Sequence, residues 1–79
     1  MPNNAPLEPH IIVDPEIMLG KPVIAGTRIT VELILIRLGE GRTVTEIVAE
    51  YPHLSAAHVT AAIDYARDIV ARPAAEAAE

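Results

Sequence analysis

The run Gly20 to Thr30, GKPVIAGTRIT, constrains this chain more than any other stretch. Its glycines and proline interrupt any helix, while Val23-Ile24 and Ile29 favour extended backbone, so the run reads as strand, tight turn, strand. Ala25-Gly26 supplies a residue that tolerates positive φ at the turn, and Thr30 is placed to cap a helix that starts at Val31. β-structure is thereby confined to the front of the chain, and three helix-length segments follow. A phosphate loop on Gly20-Lys21 is disfavoured, because that pattern needs Ser or Thr after the lysine and Pro22 stands there.

Composition matters for the core. The chain has 79 residues and no Cys, Phe or Trp, so neither a disulfide nor a thiolate zinc site can supplement a core built from Val, Ile, Leu and Ala. A lone domain of this size buries only about 60% of its unfolded surface. Dimerisation is the expected source of further burial, and a homodimer the expected assembly.

Residues 1–9 contain three prolines and two asparagines and are expected to form a flexible lead-in. A single domain is expected over residues 10–72, with a disordered tail over 73–79. His10 to Val13 is a β-branched run stopped by Asp14-Pro15 and gives the first strand, with the Gly20–Ile29 hairpin supplying two more. Val31, Ile34, Leu35 and Leu38 define one face of the first helix, and Leu33 and Ile36 extend apolar character to its other sides. Such a helix is expected to be buried on more than one side.

Gly39-Glu40-Gly41 ends that helix, and Thr43 with Glu46 has the spacing of a capping box for the second. The second helix repeats apolar residues at Val44, Ile47, Val48 and Tyr51 and closes at Pro52. Ser55 caps a third, expected to run to about Arg72 with Val59, Ala62, Ile63, Ala66 and Val70 facing inward. Only Pro52-His53-Leu54 separates the second helix from that cap. The spacing suits a helix-turn-helix, although plain helical bundles use equally short connections.

The formal charge of −5 argues against a stand-alone electrostatic binder of nucleic acid. Its distribution is uneven: Lys21, Arg28, Arg37 and Arg42 oppose only Glu32 and Glu40 across residues 21–42. These cations could form a phosphate-facing patch, or Arg28 could pair with Asp14 or Glu16 and Arg37 simply project from its helix. If the module reads DNA, then Lys21, Arg28 and Arg42 touch phosphate. Ser55, Ala56, His58 and Thr60, at the start of the third helix, approach base edges. Their small, neutral side chains imply modest discrimination between sequences.

Other chemistry finds less support. His53 and His58 straddle a turn and a cap with no companion ligands, so no metal or cofactor is expected. Tyr51 and Tyr65 fall at core spacing and read as packing residues. Asp64 and Asp68 form an i, i+4 pair without the third carboxylate a metal-dependent nuclease needs, and no enzyme activity is expected. The N-terminus lacks a basic region followed by an apolar stretch, and no apolar run approaches bilayer length. A cytoplasmic location with no membrane contact is expected.

Three segments carry a resemblance: IVDPEIMLGKPVIAGTRITV from Ile12 to Val31, EGRTVTEIVAEYPHL from Glu40 to Leu54, and AAIDYA from Ala61 to Ala66. Together they resemble the bacterial and archaeal family of domain of unknown function 433, over about His10 to Val70. The combination of D-P, G-K-P-x-x-x-G-T-R and a later Y-P is specific. The resemblance implies a mainly α fold, a homeodomain-like three-helix bundle with helix-turn-helix geometry behind a short β arm. It also implies an antitoxin of a type II toxin-antitoxin pair, a dimer that neutralises a PIN-type ribonuclease toxin encoded nearby and binds operator DNA to regulate its operon. A protein-interaction scaffold that binds no DNA is the alternative. The near-absence of basic side chains on the third helix before Arg67 departs from a DNA reader.

Overall fold

The computed structural model describes residues 10–72. The expected lead-in 1–9 and tail 73–79 lie outside them. Strands β1 (Ile11–Ile12) and β2 (Val23–Ile24) pair antiparallel, with Ile11 opposite Ile24 and Ile12 opposite Val23. Between them the chain reverses in two steps. Asp14 Oδ1 accepts the Glu16 N–H at 2.8 Å, and a single 3-10 turn, Met18–Gly20, then follows with φ of 50°, 61° and 84°.

The hairpin expected over Gly20–Ile29 is therefore reassigned. β2 pairs with β1, and what was read as a third strand is reduced to an isolated bridge between Val23 and Thr30. The reason is local. Gly26 turns the chain at φ 82°, and the Thr27 hydroxyl both donates to Ile24 O and accepts the Ile29 N–H, each at 2.9 Å. That side chain takes the place of a ladder bond, and one residue past Ile29 the helix has already been capped.

Helix α1 spans Val31–Gly39, α2 spans Val44–Glu50 and α3 spans Ala56–Val70. Each begins on the hydroxyl residue the sequence marks. Thr30 Oγ1 accepts the Leu33 N–H at 2.9 Å, and Thr43 and Glu46 form a reciprocal capping box. Ser55 caps α3.

The core gathers one face of each element: Ile11, Ile24, Val31, Ile34, Ile47, Leu54, Val59, Ala61 and Ala62, with Tyr51 and Tyr65 packed against it. Full burial of the six largest, Ile11, Val23, Ile24, Ile34, Ile47 and Val59, is worth about 1.5–3 kcal/mol per side chain.

Two inward faces differ from expectation. On α3, Val59 and Ala62 are buried as expected, but Ala61 is buried with them while Ile63 and Val70 are exposed, and the helix packs against α1, α2 and β1. On α1, Leu35 and Ile36 are 38% and 47% exposed. Leu35, of the expected inward face, and Ile36, of the other apolar side, are thus both open in the single chain.

Candidate nucleic-acid interface

Helix α2 has seven residues and ends at Glu50, and residues 51–55 turn the chain into α3. The turn is held from inside. Leu54 is buried and its N–H donates to Tyr51 O at 2.8 Å. Tyr51 also accepts from Arg37 Nε at 3.4 Å, which ties the end of α2 back to α1.

The opening turns of α3 expose Ala56, Ala57 and Thr60. Ser55 is exposed as well, but it and His58 satisfy each other. Ser55 Oγ accepts the His58 N–H at 3.4 Å, and His58 Nδ1 accepts the Ser55 N–H at 2.9 Å. The His58 ring lies edge-on to His10, with centroids 4.7 Å apart at 78°. Partial burial and then the neighbouring His10 push the His58 pKa down. Of the four α3 candidates, Ala56 and Thr60 present free side chains, whereas Ser55 and His58 are engaged within the fold.

The basic candidates fall in separate places. Lys21 pairs with Glu32 at 2.7 Å. Arg42, in the turn between α1 and α2, pairs with Glu50 at the end of α2. Arg28 is exposed, has no ion pair among the described residues, and lines a groove with Met18, Thr30, Glu32, Leu33 and Ile36. The pairing weighed for it with Asp14 or Glu16 is not formed; Asp14 instead caps its own turn.

Arg37 reaches Glu40 at 3.3 Å, and its pKa is raised, first by the Tyr51 hydroxyl and then by Glu40. Exposed pairs of this kind are worth at most about 1 kcal/mol. Phosphate can therefore compete for Lys21 and Arg42. Farther along α3 the outer side carries Asp64, Arg67 and Asp68, and Arg67 pairs with Asp64 at 3.4 Å.

Sequence reasoning missed His10, read only as the start of a strand. It also missed that Ser55-x-x-His58 is a capping box with imidazole in the place that Glu or Gln usually fills. The spacing was visible, and an unprotonated ring nitrogen is a good acceptor.

These features define a class: a small, mainly α-helical domain in which three hydroxyl-capped helices follow a two-stranded antiparallel arm. The chain belongs to the family described as Protein of unknown function (DUF433), whose model matches residues 11–66, from β1 through most of α3. No curated protein and no solved structure matches it.

Proposed function

We propose that this protein is the antitoxin-like partner in a type II toxin-antitoxin pair, a homodimer that neutralises a PIN-type ribonuclease and binds operator DNA through α2 and α3. The observation that supports it best is the short, internally braced turn between α2 and α3 in a chain of the DUF433 family. That turn leaves the first residues of α3 outward, as a helix entering the major groove requires. Leu35 and Ile36, open on α1, offer apolar surface for a second chain or a toxin.

Co-expression with the product of the adjacent reading frame tests the pairing. A tagged chain should retain a small nuclease and suppress its cleavage of RNA, and a neighbour that neither binds nor is inhibited refutes it. For DNA, a salt titration against the protein's own upstream region should show Arg28→Ala and Arg42→Ala each lowering affinity for all sequences alike. Each should flatten the slope by about one unit per lost phosphate contact.

The scaffold reading has its own support in the acids of α3. Asp64 and Asp68 accompany Arg67, and Asp64 already neutralises it. A toxin complex that shifts no DNA at low salt favours that reading.

A further inference from the structure

We propose that His10 and His58 form an acid-sensitive latch that fastens the residue before β1 to the start of α3, closed while the His58 ring is neutral and released when it takes up a proton. The inference is independent of what the helices bind.

Closure requires a particular tautomer. Because Nδ1 of His58 accepts the Ser55 N–H at 2.9 Å, its proton must reside on Nε2. A second proton would place N–H against N–H across that distance. Ser55 Oγ, 3.2 Å from Nδ1, could accept from the new donor, but the Ser55 N–H would then have lost its partner. The charge would also stand in the first turn of α3, where the helix dipole opposes a cation. Finally it would face His10, 4.7 Å away.

Among the described residues, no acid in the first turn of α3 offsets these costs. The elements packed against α3 are α1, α2 and β1. Immediately before β1 the titratable group is His10, and it disfavours the charged His58 ring. The charged side chains of α1 and α2 are engaged elsewhere, Glu32 with Lys21, Arg37 with Glu40, Glu50 with Arg42 and Glu46 in the capping box of α2, and the first turn of α3 holds no acid. His53, in the turn before α3, is exposed.

Linkage fixes the direction. His58 has a folded pKa below the value of about 6.5 that it takes in an unfolded chain. The unfolded state therefore binds the proton more readily. Stability from the latch is complete above about pH 6.5 and is lost as pH falls from there through the lower folded value.

The test is an NMR titration of the full chain, beside thermal melts at about pH 7.5 and about pH 5. His58 should show the Nε2–H tautomer and titrate below the ordinary histidine value of about 6.5, and His10→Ala should move its midpoint up toward that value. Wild type should melt at a lower temperature at the acid pH. His58→Gln keeps a capping acceptor that cannot titrate, so most of that loss should vanish.

The latch is overturned if His58 titrates at or above the ordinary histidine value of about 6.5, or if His58→Gln loses as much on acidification as wild type. Should that variant fail to fold, the wild-type titration decides alone.

Discussion

Gly26 has a φ of 82° and open space where a Cβ would stand, so the objection to any other residue there is conformational rather than steric. Gly26→Val should accordingly cost about 1–3 kcal/mol, because a β-branched residue is strained at positive φ. Gly26→Asn should cost clearly less, since asparagine visits that region readily. Urea midpoints of the two variants check this, and a valine variant as stable as wild type would exclude the turn. Gly26 was legible in the sequence because glycine at a turn between β-leaning residues announces its own backbone. Met18 and Leu19 were not. Both take positive φ, and Leu19 does so while 94% exposed. Nothing in the residue types Met-Leu foretells that geometry; it follows from closing β1 onto β2, a constraint that involves residues on both sides of the turn.

At the scale of elements, the helix starts were the most readable part of the chain. Thr30, Thr43 and Ser55 each reach a backbone N–H three residues on, a relation contained within a single turn. Thr43→Ala should destabilise by about 1 kcal/mol, and Glu46→Ala by less, because the threonine contact alone still satisfies a donor of the helix's open end. Equal midpoints for Thr43→Ala and wild type in chemical denaturation would mean the cap adds nothing to the folded state. The inward face of α3 was legible only in part. Val59 and Ala62 are buried as their spacing implies, but Ala61 is buried with them, while Ile63 and Val70 are exposed. That choice depends on how α1, α2 and β1 pack against the helix, and no window of neighbouring residues encodes it. The candidate interface divides similarly: the short turn into α3 was read from spacing, whereas the ring facing His58 belongs to a residue 58 − 10 = 48 positions away.

At the scale of the whole molecule, the core consists of aliphatic side chains, while Leu35 and Ile36 remain open on α1. The proposed dimer would cover part of that surface. Sedimentation at micromolar concentration should give the mass of two chains, and Ile36→Lys should shift it toward one chain if α1 forms the contact. A folded wild-type monomer at that concentration would defeat the dimer. The contact of His10 with His58 has a kinetic consequence of its own. The strand pair joins residues only 24 − 11 = 13 positions apart, and the helices follow one another directly, so folding should be fast, on the order of milliseconds or less. The contact between the two rings closes a much longer loop and should form after the rate-limiting step. Stopped-flow traces of His10→Ala should then show an unchanged refolding rate and faster unfolding. The first segment to leave the native state would be the strand at the front of the chain, giving a protease its earliest access there while the three helices still hold together.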